Sequence, residues 1–550
     1  MSLFLQLAQL GERLEATSSR KSMASLVADY LTGLAPSEIA PAARMIIGRA
    51  FPETRGRPLK LSGAAVARVV EGVVETTAAQ RQEIAREAVD IGQSVQMLFE
   101  QGMREPARQR PLSLEEVWQT FQEIAAAAGP GSRQRKDRLL QSLFQRSCAL
   151  EAKYLAKLSV GEMRHGVSEG LLLDSIALAA GVPRRLVRRA NMLTGDVGQV
   201  AGVALQQGGE ALERIAVTLG QPIKPMLAQT ASSVEEAMMM LRSELALEYK
   251  LDGARVQIHR SGQRVWLFSR HLADMTVSLP EVQEEILREV SPQRAILEGE
   301  VIAIATDGRP KPFQHLMRRL GRVHEVRALQ QQMPVKLYLF DILYADGESW
   351  IDRPYRDRVK ALQRACGSIS LVERLLPSSV RDGEAFLSAA RTAGHEGLMA
   401  KALGSRYSPG ARGRYWLKIK PTITLDLVIV GAEWGYGRRH GWLSNYHLAA
   451  RDEESGDLFE VGKTFKGLTD REFEEMTELL LKLRVGETQQ LVTVRPEVVV
   501  EVAFNGVQDS PQYPSGVALR FARIVRLRPD KPAEEADTIQ TLRTLQLTGH

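Results

Sequence analysis

Residues 248–255, Glu-Tyr-Lys-Leu-Asp-Gly-Ala-Arg, bring an amine, two carboxylates and a guanidinium into one short stretch. Tyr249, Leu251, Val256 and Ile258 cluster like the apolar residues of two short strands, and Asp252-Gly253 between them predicts a hairpin turn. A lysine inside such a run is costly to bury unless an anion lies opposite it. Lys250 is therefore either a solvated charge beside an ordinary hairpin or the partner of something anionic.

Further charges recur at the ends of apolar runs downstream. Glu298 and Glu300 flank Gly299, Asp341 follows Phe340, and Glu396 precedes Gly397 with Lys401 shortly after. Lys418 and Lys420 alternate in Trp-Leu-Lys-Ile-Lys, which puts both ammoniums on one face of a strand. Taken singly, each is an ordinary strand-end charge. Together they share a chemistry: cations on one side of a cleft suit phosphates, and carboxylates beside them suit a divalent metal. Phe340 could stack on a base, although a core position is the commoner use of that residue. No G-x-x-x-x-G-K-[ST] occurs, so a P-loop phosphate cradle is excluded.

The elements that must position these residues change in texture along the chain. Residues 1 to about 215 are rich in Ala, Leu, Gln, Glu and Arg with helical periodicity, which predicts an all-α region. Residues 78–102 read as one helix, and residues 113–129 as another with a capping box from Ser113 to Glu116; Gly129-Pro130-Gly131 breaks the pattern. Two basic clusters, 133–138 and 184–189, fit contacts to a phosphate backbone better than one would alone. Prolines in 218–229 end the helical pattern. From about 230 to 421, strand-like runs at 264–270, 295–305, 335–347, 397–403 and 415–420 alternate with helical ones, a mixed α+β domain. Beyond Pro421, short strands separated by Gly-rich turns predict a small β-barrel.

Composition bounds the class. A chain of 550 residues has room for about three or four domains. Its 72 basic and 66 acidic residues leave a net charge of +6, compatible with a polyanionic partner. Cys148 and Cys366, the only cysteines, form no metal-binding array, and no apolar run is long enough to span a membrane. The N-terminus reads as a helix and not as a signal peptide, so a cytoplasmic location is expected.

Residues 250–255 (KLDGAR) resemble the nucleotidyl-lysine motif of covalent nucleotidyltransferases, and 269–270 (SR), 297–300 (LEGE), 337–341 (LYLFD), 396–401 (EGLMAK) and 416–420 (WLKIK) resemble its following motifs in order. Residues 519–531 resemble the last motif, carried on an oligonucleotide-binding (OB) barrel. The set is similar to that of ATP-dependent DNA ligases. Residues 158–177 resemble the helical DNA-binding domain of the archaeal and eukaryotic replicative type, and 222–228 its entry to the catalytic core.

The resemblance implies a helical DNA-binding domain at 1–215, an α+β adenylation domain at 216–421 and an OB-fold domain at 422–550. It implies Lys250 as nucleophile toward ATP; Arg255, Arg270 and Glu300 on ribose and phosphate; Phe340 on adenine; and Glu248 touching the base through its peptide. Arg412, Lys418 and Lys420 would hold phosphates, Glu300 and Glu396 would hold Mg²⁺, and Arg528 and Lys531 would meet the β- and γ-phosphates. Asp252 would shape the turn and orient Lys250. The implied partners are nicked double-stranded DNA and a sliding clamp, for a monomer that works in replication, repair and recombination. An RNA ligase or capping-type enzyme would share the core without the helical domain, and a catalytically silent nucleic-acid-binding protein need not keep Lys250. An NAD-dependent ligase is disfavoured because two isolated cysteines cannot build a zinc module.

Overall fold

The computed structural model describes residues 2–53, 59, 61–102, 110–305, 307–311, 313–317, 319–320, 329–330, 332–408, 415–420, 423–435, 439, 441–488 and 490–547. Two compact units result, 1–420 and 421–550. Among the described residues no helix is long and apolar enough to cross a membrane.

The first unit opens with helices running from Phe4 to Glu213, packed around a core that includes Phe4, Phe121, Phe144, Tyr154 and Leu155. The capping box holds: Ser113 Oγ accepts from the Glu116 amide at 3.2 Å, and a Glu116 carboxylate oxygen accepts from the Ser113 amide at 3.0 Å. The helix it starts, Leu114–Ala126, is followed by Ser132–Phe144. Residues 78–102 are two helices, Ala78–Glu87 and Ile91–Gly102, and not one. Ala88 is extended, and the Asp90 carboxylate accepts from the Gln93 amide at 2.9 Å, so this acidic residue restarts the helix at a point where periodicity alone continues it.

Two sheets follow. One has the order β1-β10-β9-β2-β8, with β1 Gln229–Ala231, β2 Leu245–Lys250, β8 Arg374–Leu375, β9 Gly397–Ala402 and β10 Trp416–Ile419. The other runs β4-β3-β5-β6-β7, with β3 Ala254–Ser261, β4 Arg264–Ser269, β5 Arg294–Ala303, β6 Val335–Ala345 and β7 Glu348–Ser349. The helices Val234–Leu241 and Val380–Thr392 contribute to the apolar cluster with the first sheet, and Pro280–Glu289 and Tyr355–Ala365 to that with the second.

The hairpin expected at Asp252-Gly253 is absent. β2 pairs with β8 and β9, while β3 pairs with β4 and β5, so residues 251–253 carry the chain from one sheet to the other. Gly253 is required by close approach: a Cβ there would lie 2.5 Å from the Val301 carbonyl. A turn-forming dipeptide was legible; which sheet each flanking strand joins is decided by pairing far along the chain.

The second unit is a six-stranded sheet following the path β13-β12-β11-β15-β14, with β18 also on β15. Its strands are β11 Ile423–Trp434, β12 Leu443–Arg451, β13 Leu458–Thr464, β14 Arg484–Glu487, β15 Leu491–Phe504 and β18 Arg523–Leu527, with a separate hairpin of β16 Val507–Asp509 and β17 Val517–Leu519. The helix Asp470–Lys482 buries Phe473, Met476 and Leu480 in its core. The predicted β domain is present, but its ladders do not close into a barrel among the described residues. Between β18 and the segment just after β13 a backbone hydrogen bond from the Ile524 amide to the Lys466 carbonyl at 2.9 Å takes the place of a ladder.

Candidate active site

The strand register builds the centre of the site. Lys250 ends β2 opposite Gly397 at the start of β9, and the Glu396 amide donates to the Lys250 carbonyl at 2.9 Å. Their side chains form an ion pair, and the same Glu396 oxygen takes the Lys420 ammonium at 2.5 Å. Burial pushes the Glu396 carboxyl up, but Lys250 and Lys420 outweigh it and hold the group at about 2. Burial, then the neighbouring Lys250 charge, lowers the Lys420 ammonium's pKa. Gly397 is indispensable here, since its φ of +147° is unfavourable for other residues and a Cβ would meet the Ile419 carbonyl at 2.3 Å.

Glu300 and Arg255 are register partners on β5 and β3. The Arg255 guanidinium turns instead to Glu298, at 2.6 Å, and to the Met226 carbonyl, also at 2.6 Å. Its Nε is buried without a hydrogen-bond partner among the described residues. Burial pushes the Glu300 carboxyl up to about 7 against the pull of Lys250 and Arg255. Asp252 accepts from the Phe313 amide at 3.1 Å, and burial followed by the Glu396 charge raises its pKa.

Behind Phe340 lies a group that the sequence reading did not assemble. The buried Lys401 ammonium sits 4.5 Å from the Phe340 ring centre and 4.4 Å from that of Trp416. It pairs with Glu248 at 2.5 Å and donates to the Tyr355 hydroxyl at 3.0 Å, while Arg374 Nε reaches Glu248 at 2.8 Å. Burial raises the Glu248 carboxyl's pKa, but Lys401 and Arg374 more than offset it and leave the group below its ordinary value. Asp341 and Arg358 form a fully buried two-pronged pair at 2.8 and 2.9 Å. The signal for this support lay in Tyr355, Arg358, Val359 and Leu362, which share one buried helix face, but a charge on an apolar stripe does not name its partner.

The remaining expected residues are placed as follows. Arg270 is exposed in the turn after β4, and Lys418 is half-buried on β10. Arg412 lies outside the described residues. In the second unit, Arg528 and Lys531 both bind Asp426, at 2.7 and 2.9 Å. No cluster of three or more metal-ligating side chains gathers among the described residues. Of the basic clusters, Arg133, Arg135 and Arg138 are exposed; Arg184 and Arg188 are also exposed but approach Asp174, and Arg189 pairs with Asp352.

Comparison with known proteins matches three family models: DNA ligase N terminus over 3–177, ATP dependent DNA ligase domain over 225–420, and ATP dependent DNA ligase C terminal region over 439–531. The chain is 45% identical to DNA ligase 1 of Korarchaeum cryptofilum, covering 99% of this chain and 98% of that one. It is 41% identical to the DNA ligase of Thermococcus onnurineus, covering 98% and 97%. The solved chain Pmar-Lig_PreS3 shares the fold, with a TM-score of 0.57 at 17% identity over 95% of this chain and 99% of that one.

Proposed function

The chain belongs to the ATP-dependent DNA ligase family, and from that membership we propose that it seals nicks in duplex DNA through a lysyl-AMP intermediate on Lys250. Membership brings ATP use with it. The observation that supports Lys250 is the shared carboxylate, because Glu396 gathers two lysines where an α-phosphate would need both a nucleophile and a cation.

An amine attacks phosphorus only through its free electron pair. Lys420, the second ammonium beside Glu396, has its own pKa lowered by burial and then by the Lys250 charge. Lys250 Nζ forms the nitrogen–phosphorus bond to the α-phosphate of ATP as the bond to the β-phosphate breaks and pyrophosphate leaves. AMP then passes to the 5′-phosphate at a nick, and the 3′-hydroxyl displaces it to close the backbone. Each step shifts charge at phosphorus, so positioning and fixed cations supply most of the acceleration.

Arg255, Arg270 and Glu300 hold ribose and phosphate in this reading, and the unpartnered Arg255 Nε supports it as a donor awaiting an acceptor. Phe340 stacks on adenine and the Glu248 peptide contacts the base. Arg412, Lys418 and Lys420 hold phosphates, and Arg528 and Lys531 serve the β- and γ-phosphates. Glu300 and Glu396 would hold Mg²⁺, an ion that takes one or two carboxylates plus substrate oxygens and needs no preformed cage. When bound it supplies neutralisation of charge on phosphate oxygens. Division at 215 and 421, nicked duplex DNA and a sliding clamp as partners, a monomeric state, a cytoplasmic location and work in replication, repair and recombination complete the proposal.

The test uses ATP labelled at its α-phosphate. Label should remain on the denatured protein and vanish in Lys250→Ala, and label from NAD should not be retained. Wild-type labelling of Lys250→Ala would overturn the assignment.

A further inference from the structure

Asp426, on β11, is a buried carboxylate with an uneven set of partners. Its Oδ2 accepts from Arg528 Nη1 at 2.7 Å and from Lys531 Nζ at 2.9 Å, while its Oδ1 is buried with no hydrogen-bond partner among the described residues. The Asp426 backbone is itself fixed, since its amide donates to the Asp537 carboxylate at 2.7 Å and its carbonyl accepts from the Asp537 amide at 2.8 Å. Other Arg528 donors go to Asp530, at 3.0 Å from Nε and 2.8 Å from Nη2. Two cations thus converge on one anionic oxygen, as they would on an oxygen of a polyphosphate.

We propose that Asp426 is a positioning residue that stands in for a phosphate oxygen, holding Arg528 and Lys531 together until a polyphosphate displaces it. The proposal rests on the reading of Arg528 and Lys531 as ligands of the β- and γ-phosphates. Two like charges this close repel unless an anion lies between them, so without a nucleotide Asp426 keeps the pair converged. Cations held ready lose less freedom when the substrate arrives. The same contact weakens net capture, because every incoming polyphosphate must displace a carboxylate that is already bonded. It also favours release: once pyrophosphate starts to leave, Asp426 takes the cations back.

A merely structural Asp426 makes the opposite prediction. If it only propped Arg528 and Lys531 in place, its neutralisation would weaken polyphosphate binding, as loss of Arg528 itself does. The experiment uses the full-length chain and the variants Asp426→Asn, Asp426→Ser and Arg528→Ala. For each, the half-saturating ATP concentration and maximal rate of lysyl-AMP formation are measured, with the half-saturating pyrophosphate concentration for the reverse reaction. Sealing of a pre-adenylylated nick marks a folded protein.

Asp426→Asn is expected to lower the half-saturating pyrophosphate and ATP concentrations, roughly three- to tenfold, through removal of the competing charge-assisted bonds. Its maximal rate of lysyl-AMP formation should fall, because the cations are no longer held converged. Half-saturating concentrations that rise or stay unchanged would overturn the stand-in role. If Arg528→Ala leaves lysyl-AMP formation untouched, it is the underlying reading of Arg528 that fails. Asp426→Ser is read in the same way should the Asn variant lose nick sealing, and loss of folding in both would overturn the proposal in favour of a purely structural residue.

Discussion

Lys250 and Glu396 are joined twice, by a backbone hydrogen bond from the Glu396 amide to the Lys250 carbonyl at 2.9 Å and by the ion pair of their side chains. The backbone link fixes where the carboxylate stands whether or not the ion pair is made, so Glu396 can release the amine without drifting away. Glu396→Gln should therefore keep its place but lose its charge, and lysyl-AMP formation should slow by about 10²-fold, the scale of a lost electrostatic contact to a reacting group. Rapid-quench labelling with α-labelled ATP gives the rate directly, and a change below about threefold would remove Glu396 from the reaction.

Lys401 tests the support behind the site. Lys401→Met keeps much of the side chain's bulk but leaves the buried Glu248 with Arg374 and Tyr355 alone. Removing one member of a buried pair costs about 3–5 kcal/mol. Urea unfolding should show a loss near the lower end, about 3 kcal/mol, because Arg374 remains. A variant as stable as wild type would show that the ion pair is energetically idle.

His259 provides a pH dependence whose sign can be worked out. It is buried, accepts from the Gly220 amide at Nδ1 over 3.1 Å and lies 2.9 Å from the Gln257 side-chain oxygen through Nε2. Burial depresses its pKa to about 3. A depressed folded-state value means stability that is present above the unfolded value of about 6.5 and lost as pH falls toward the folded one. Between pH 7 and pH 5, wild type should lose about 2 kcal/mol more than His259→Asn in urea unfolding. Parallel losses in the two proteins would mean that this histidine is not buried neutral.

Much of the candidate site was legible because its residues sit where strand patterns end. Lys250, Glu300, Phe340, Glu396 and Lys420 were each found from a charge or ring at the edge of an apolar run. What escaped the sequence reading was pairing. Nothing local indicates that β2 and β3 part into different sheets, or that Lys401, with two downstream lysines to compare it with, is the one that goes under Phe340. The helix break at Ala88 was missed because Ala, Val and Asp continue a helical pattern well enough until a side chain caps the next turn. The occupation of Arg528 and Lys531 by Asp426 joins residues about a hundred positions apart, beyond any motif.

The two basic clusters of the helical region should not contribute equally to DNA binding. Arg133, Arg135 and Arg138 are exposed; Arg184 and Arg188 are exposed as well but lie near Asp174, and Arg189 pairs with Asp352. Changing the first three to Gln should reduce the slope of log K against log salt by about 2–3, one phosphate contact each. The matching change at Arg184, Arg188 and Arg189 should reduce it less, and self-adenylylation should survive both. Fluorescence anisotropy with a nicked duplex over a salt series measures the slopes, and equal effects would refute the ranking.

The crossing at residues 251–253 has an evolutionary corollary. Only three residues link Lys250 at the end of β2 to Ala254 at the start of β3, Asp252 among them is tied to the Phe313 amide, and Gly253 lies too close to the Val301 carbonyl to carry a side chain, so a residue gained or lost there has no room to be absorbed. The tip at Ser261–Gly262, where β3 turns into β4, carries no such penalty, since a longer loop there leaves both pairing partners in register. Descendants of this chain are therefore free to vary in length at the hairpin tip and are held to a fixed count beside Lys250, so length differences should gather at Ser261–Gly262 and spare residues 251–253.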